Sequence, residues 1–126
     1  MYHQGAQAYQ QVARKTEAPR DREANLLSRA AANLQLIHDA WELKQDSLNE
    51  ALLFNRRIWN IFLTSVTRED NPLPAQVRQN IANLGLFVMN ETRELHMEPI
   101  KAKLLPLINI NRQLAAGLRG SEEAAA

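Results

Sequence analysis

Residues 47–67 read SLNEALLFNRRIWNIFLTSVT, and their apolar members recur at helical spacing. They form two seams. The first comprises Leu48, Leu52, Asn55, Trp59, Phe62 and Val66, and the second comprises Ala51, Phe54, Ile58 and Ile61. A helix that is apolar on two sides is expected to lie between neighbouring helices. The stretch therefore predicts the central helix of an all-α fold, exposed only on a strip near Arg56, Arg57, Asn60 and Thr64.

Both ends of this helix carry sequence signals. Ser47 and Glu50 have the spacing of a capping box, in which the serine hydroxyl and the glutamate each bond a backbone amide. Residues 69–74, EDNPLP, predict a loop because two prolines and an Asn-Pro step disfavour helical backbone. Within the helix, Asn55 is the polar member of the main seam. We expect it to be buried and to fix the helix register.

Helical periodicity extends over the rest of the chain, and the alternation typical of strands is absent. A short helix is predicted at 2–15, with Ala6, Tyr9 and Ala13 on one stripe and Val12 beside it. Longer helices are predicted at 19–43, 74–96 and 100–118. The predicted fold class is all-α: a compact single-domain bundle of about five helices over residues 1–120, followed by a flexible tail at 121–126.

The last two predicted helices carry further details. The 74–96 helix should direct five apolar side chains inward: Val77, Ile81, Leu84, Val88 and Leu95. Ala82 and Gly85 lie on a neighbouring stripe, where their small size would let another helix approach closely. Pro106 should kink or restart the last helix, and Gly117 or Gly120 should end it.

Composition bounds the class of protein. The 126 residues are 45% hydrophobic, which fits one globular domain with its own core. Cysteine is absent, which excludes thiol catalysis and cysteine-based metal sites and fits a reducing cytoplasm. The net charge is +1 with both signs interspersed, as on solvated helices rather than on a duplex-binding face. No signal peptide or membrane-spanning run is found, so we expect a soluble, cytoplasmic protein without membrane insertion.

No catalytic or metal-binding pattern is found in the sequence. His3, His38 and His96 are never three or four residues apart, so no helix presents a histidine pair to a metal. Four glycines in the whole chain cannot form a phosphate-binding loop beside a strand. We therefore expect a non-enzymatic protein with no catalytic residue, metal, cofactor or small-molecule substrate.

One strip of the 74–96 helix mixes amides with an aromatic ring. Asn80, Asn83, Phe87 and Asn90 follow one another at spacings of three or four residues. Two interpretations remain open. The strip is either a solvated surface or a recognition strip, in which the amides bond a docked segment and Phe87 anchors it.

Two blocks of sequence carry a resemblance to a known family. The first spans 51–74 and reads ALLFNRRIWNIFLTSVTREDNPLP, and the second spans 77–89 and reads VRQNIANLGLFVM. The flanks agree at Ala8-Tyr9, at Pro19-Arg20 with Glu23, at ININR (108–112) and at AAGLRG (115–120). Together these stretches resemble the FlaF family of flagellin-biosynthesis regulators over about residues 7–120.

The resemblance implies a cytoplasmic regulator of flagellin synthesis and export, found beside the flagellin-mRNA regulator FlbT, with no catalytic residues. Chaperone-like binding of flagellin is the function we expect. The alternative is post-transcriptional action on flagellin mRNA, either directly or through FlbT. A direct RNA site would use four arginines expected near one end of two helices: Arg56, Arg57, Arg68 and Arg78. Near-neutral charge and the lack of an exposed aromatic platform argue against RNA.

The partner surface is expected on the 47–67 and 74–96 helices. Flagellin termini are amphipathic helices, as the resemblance implies, and such helices dock in apolar grooves. The candidate partner-binding residues are Arg56, Arg57, Trp59, Phe62, Leu63, Asn83, Phe87 and Asn90. For Trp59 and Phe62, which lie on the main seam, core packing is the favoured competing interpretation. The sequence leaves flagellin, FlbT and mRNA open as the direct partner.

Overall fold

The computed structural model describes the backbone of residues 19–125 and the side chains of residues 20–120. This part of the chain forms four long helices: α1 (Pro19–Asp39), α2 (Leu48–Val66), α3 (Ala75–Met97) and α4 (Leu104–Ala125). The connections contain a helical turn at Trp41–Lys44 and 3₁₀ turns at Gln45–Ser47 and Lys101–Lys103. No strand occurs between residues 19 and 125, so the all-α prediction is confirmed. Four helices are seen rather than five, and the helix predicted at 2–15 lies outside the described residues.

Successive helices run antiparallel, in an up-down-up-down arrangement. Arg119, late in α4, donates hydrogen bonds to Asn25 Oδ1 (2.9 Å) and Ser28 Oγ (3.2 Å), early in α1. In the other pair, His96 Nδ1 near the end of α3 lies 3.1 Å from Asn49 Oδ1 near the start of α2. The most extensive packing is of α1 against α4 and of α2 against α3, and contacts between α1 and α2 join the two pairs.

All four helices contribute to one apolar core. The largest fully buried apolar side chains are Trp59, Leu27, Leu34, Leu48, Leu52, Leu95, Leu104, Leu107, Ile108 and Val88. The main seam of α2 is therefore confirmed as core. The second seam is only partly buried, because Ile61 is exposed and Phe54 is half-buried. Ile61 lies nine residues after Leu52, which places it on the opposite side of the helix from the core.

A buried hydrogen-bond chain crosses the centre of the core. Trp59 Nε1 donates to Asn111 Oδ1 (2.9 Å), and Asn111 Nδ2 donates to Asn55 Oδ1 (2.6 Å). Both asparagines have no exposed surface, so the predicted burial of Asn55 is confirmed. The chain links α2 to α4 and gives hydrogen-bond partners to four buried polar atoms: Trp59 Nε1, Asn111 Oδ1, Asn111 Nδ2 and Asn55 Oδ1.

The start of α2 differs from the sequence prediction, whereas the loop after α2 lies where it was predicted. The capping box at Ser47 is wrong, because Ser47 makes no side-chain capping hydrogen bond. The chain enters α2 through a 3₁₀ turn that already holds Ser47 in helical conformation, whereas an N-cap requires non-helical backbone. After α2, Asn71 Nδ2 donates to Ser65 O (3.0 Å), and Asn71 Oδ1 accepts from Leu73 N (2.9 Å). This side chain fixes the loop that was predicted at 69–74.

Several predicted details of the other helices are wrong. Val77 and Leu84 are exposed, while Ile81, Val88 and Leu95 are buried as expected. The reason is that α4 packs on α1, so no other described helix covers the edge of α3 that carries Val77 and Leu84.

The ends of α1 and α4 also differ from prediction. α1 ends at Asp39, four residues early, and α4 passes through Gly117 and Gly120 to Ala125. Pro106 lies in the first turn of α4, where its missing N–H breaks no helical hydrogen bond. The flexible tail at 121–126 stays a prediction. None of the described helices has the length and hydropathy needed to cross a membrane.

Candidate functional site

The candidate residues of α2 divide between the core and the surface. Trp59 is fully buried, and Phe62 is nearly so, with their ring centroids 5.7 Å apart at a tilt of 43°. Neither side chain presents a surface to a partner in this conformation, so core packing is the role that the structure gives them. Arg56 and Arg57 are exposed, and Leu63 is half-buried against α3.

Gly85 brings α2 and α3 into close approach. A Cβ atom placed on Gly85 would lie only 2.5 Å from Leu63 Cδ2 and 2.9 Å from Leu63 Cγ. Both distances are far inside van der Waals contact, so the Leu63 side chain occupies the space that any larger residue at 85 would need. The predicted role of Gly85 in close helix approach is therefore confirmed. Leu63 serves this contact rather than a free surface.

From this contact toward the start of α2 and the end of α3, the two helices enclose a surface groove of about 570 Å³. We call it the α2–α3 groove. Arg56 and Asn60 line it from α2, and the residues that line it from α3 are Leu86, Met89, Asn90, Thr92, Arg93, His96 and Met97. It brings together two of the predicted site residues, Arg56 and Asn90. Arg57 does not line it.

The groove combines apolar flexibility with positive charge. Leu86 is 67% exposed, Met97 is also strongly exposed, and Met89 is half-buried between them and the core. Arg56 and Arg93 contribute two cations, and no carboxylate is among the residues that line the groove. Arg93 Nη2 donates to Asn90 Oδ1 at 2.7 Å, which holds the guanidinium along the helix. Such a surface suits an apolar ligand with acidic flanks.

The amide strip of α3 lies beside this groove on the outer face of the helix. Asn83 Oδ1 accepts a hydrogen bond from Gln79 (3.0 Å), and Asn80 Oδ1 accepts one from Gln76 (3.0 Å). These pairs are four residues apart, as on a solvated helix surface. Phe87 is 42% exposed on the same face, and so its ring is partly free of the core. The strip therefore consists of a half-exposed aromatic ring among amides that already have partners within the helix.

The four arginines of the RNA alternative do not form one cluster. Arg56 lies ten residues before the end of α2, which is about 15 Å along the helix axis. At that end, Arg68 pairs with Asp70 through two hydrogen bonds of 3.2 Å, and Arg78 Nη1 donates to the Arg68 carbonyl (3.5 Å). The expectation that these cations lie together is wrong. Arg56 instead shares the α2–α3 groove with Arg93.

Sequence reasoning missed most of the groove. Leu86, Met89, Arg93 and Met97 follow one another at spacings of three and four, which is a second helical stripe on α3. That signal was available, but it falls outside the inward stripe that includes Ile81 and Val88. Elsewhere, the described side chains include no group of three or more His, Asp or Glu residues placed to hold a metal ion.

Comparison with known proteins gives one match. The family model described as "Flagellar protein FlaF" matches residues 5–118. No curated protein matches the chain. No solved structure matches it either. The family match covers far more than half of the sequence, including α1, α2, α3 and most of α4. The chain belongs to the FlaF family of flagellar proteins.

Proposed function

We propose that this flagellar protein acts without catalysis and binds flagellin, holding an amphipathic helix of flagellin in the α2–α3 groove. The observation that carries the proposal is that Leu86, Met89 and Met97 line one groove together with Arg56 and Arg93. Membership of a flagellar family supports flagellin as the partner. This role belongs in the cytoplasm, where flagellin is made before export.

The apolar side chains of the groove suit a helical ligand. Methionine is unbranched and polarizable, so it adapts to ligand side chains of different shapes. Helix-in-groove recognition uses apolar anchors spaced three or four residues apart on the ligand helix. Leu86, Met89 and Met97 are separated by three and eight residues, so they share one face of α3 and offer such anchors a common apolar surface. Burial of such a ligand face would cover apolar surface that otherwise promotes premature assembly of flagellin subunits.

The arginines favour one class of helix over others. Arg56 and Arg93 lie at the groove without an acidic side chain lining it, so a ligand carrying Asp or Glu beside its apolar stripe is complementary. Rim charges act mainly on the association rate, while the apolar contact determines the lifetime of the complex. Binding should therefore survive physiological salt.

The test is a calorimetric titration of monomeric flagellin into matched serine variants. Leu86→Ser removes an apolar side chain from the groove, and Leu36→Ser removes one of similar exposure, 61% against 67%, from α1. We expect Leu86→Ser to weaken flagellin binding by about tenfold, which corresponds to ~1.4 kcal/mol, and Leu36→Ser to leave it unchanged. Equal affinity of the two variants would place the flagellin site elsewhere.

The alternative function is action on flagellin mRNA, directly or through FlbT. The pair Arg56 and Arg93 favours it, because guanidinium groups recognise phosphate and neither arginine forms a salt bridge with a described residue. The two functions differ in salt dependence, since each phosphate contact releases counterions and steepens the loss of affinity. Titrations of flagellin, FlbT and the leader RNA against the same protein, at two salt concentrations, separate them. RNA binding that is lost in Arg56→Gln while flagellin binding is absent would support the alternative.

A further inference from the structure

A second cavity, of about 340 Å³, lies between α1 and α2 beside the turn at Trp41–Lys44. We call it the α1–α2 cavity. Its apolar lining residues are Leu36, Ile37, Ala51 and Phe54, and its charged lining residues are Arg29, Lys44 and Glu50. The Arg29 guanidinium carbon lies 5.5 Å from the centroid of the Phe54 ring, and this cation–π contact holds the cation at the cavity. The cavity therefore combines an apolar wall with a positioned positive charge.

Leu43 protrudes beside this cavity. It is 87% exposed, the largest exposed fraction among the large apolar side chains of the described residues. Trp41 packs against the core, and residues two apart on a helical turn lie about 200° apart, so Leu43 points away from the core. Hydrogen bonds from Leu43 N (3.0 Å) and Lys44 N (2.9 Å) to Ala40 O hold the turn in place. Leu43 is thus fixed outside the bundle, next to a residue that lines the cavity.

We propose that two copies of this chain associate about a two-fold axis, with Leu43 of each copy inserted in the α1–α2 cavity of the other. A two-fold contact uses the same patch of both copies, so the inserted side chain and the receiving cavity must be neighbours on one face. Leu43 and the cavity meet this requirement, because Lys44 belongs to the cavity wall. The contact buries Leu43 and also covers Leu36, which is 61% exposed.

The charges around Leu43 and around the cavity are complementary. Arg29 and Lys44 outnumber Glu50 among the lining residues, so the cavity is net positive. Glu42 precedes Leu43 on the exposed turn and enters the contact with it, where it meets Arg29 of the second copy. None of these four charged residues forms a salt bridge with a described residue. A second copy therefore supplies the occupant that this cavity fits, an exposed leucine with a carboxylate beside it.

Sedimentation velocity tests the proposal on the full-length chain. For a small interface we expect a reversible dimer with a dissociation constant on the order of 10 µM. Leu43→Ser should raise that constant by about tenfold or more, because it removes the inserted side chain. Met97→Ser is the matched control: Met97 is 81% exposed but lines the α2–α3 groove, so this variant should dimerise as the unchanged protein does.

Three outcomes of this experiment would overturn the proposal. The first is a monomer at every concentration up to about 200 µM, well above the expected dissociation constant. The second is a dimer of equal strength in Leu43→Ser and Met97→Ser. The third is association that continues beyond the dimer, because a two-fold contact closes at two copies.

A charge exchange tests the orientation of the two copies. Glu42→Arg should raise the dissociation constant by about fivefold, because the new cation meets Arg29 of the second copy. Addition of Arg29→Glu restores opposite signs and should return the constant to within about twofold of the unchanged protein. A double variant that dimerises no better than Glu42→Arg alone overturns the proposed pairing. These measurements contain no flagellin, so their outcome is independent of the function proposed for the α2–α3 groove.

Discussion

Replacement of Asn111 by leucine should destabilise the bundle strongly, although the two side chains are similar in size. Asn111 has no exposed surface, accepts a hydrogen bond from Trp59 Nε1 at 2.9 Å and donates one to Asn55 Oδ1 at 2.6 Å. Leucine has the same branched shape but no polar atom, so Trp59 N–H and Asn55 Oδ1 lose their partners inside the core. Asn55 Nδ2 already has none among the described residues.

The magnitude follows from these two lost partners. Each buried polar group left without a partner costs about 1–3 kcal/mol, while the added apolar burial of leucine returns ~1–2 kcal/mol. We therefore expect Asn111→Leu to lower the free energy of unfolding by about 1–4 kcal/mol. A urea titration followed by far-ultraviolet circular dichroism measures it, with an unchanged m-value as the sign that the fold is retained.

The double variant supplies the control. Asn55→Leu with Asn111→Leu removes both amides together, so Trp59 N–H alone remains without a partner. The double variant should be more stable than the sum of the two single effects predicts, by about 1–3 kcal/mol. If the two single effects add within about 0.5 kcal/mol, the amides act independently. The claim that they form one structural link between α2 and α4 would then be refuted.

The remaining predictions concern the contact between α2 and α3 at Gly85, the exposed Phe87 ring and the half-buried carboxyl of Glu23. Gly85→Ala should lower the free energy of unfolding by about 1–2 kcal/mol in urea titrations, because the new Cβ meets Leu63. The same change should stabilise the Leu63→Ala variant, where the Cβ has room and alanine favours helix more than glycine does. A change in stability of the same sign in both backgrounds would contradict the contact. Trp59→Ala should lower the free energy of unfolding by ~3–5 kcal/mol, whereas Phe87→Ala should lower it much less, because the Phe87 ring is partly exposed. Equal losses in thermal melts of the two variants would make Phe87 a core residue. Burial raises the pKa of Glu23 above its ordinary value of 4.5 and outweighs Arg20 and Arg22, which lower it. The folded state therefore holds the carboxyl proton of Glu23 more tightly than the unfolded chain does. Stability should therefore fall as pH rises from about 4.5 through the raised pKa, and Glu23→Gln should remove that part of the fall in a series of melts; an unchanged pH profile would refute it.

The sequence predicts the parts of this fold that depend on local chemistry. The main seam of α2, the loop around Asn71 and the close approach at Gly85 each follow from residue types at fixed spacing. The capping box fails because its pattern is local, while the conformation of Ser47 is determined by the 3₁₀ turn before it. The predicted end of α4 at Gly117 or Gly120 is wrong for a related reason, since glycine permits a helix to end without requiring it.

The surface of α3 depends on which helices lie beside it, and the sequence does not state that. Val77 and Leu84 belong to the same apolar stripe as Ile81, yet they are exposed because α4 packs against α1 instead of covering that edge. Leu86 and Met97 lie on a second stripe that no other described helix covers. A single helix thus carries more apolar surface than its neighbours in the bundle can bury. Since exposed apolar stripes beside cations mark interaction surfaces, α3 is the element on which partner binding should be sought first.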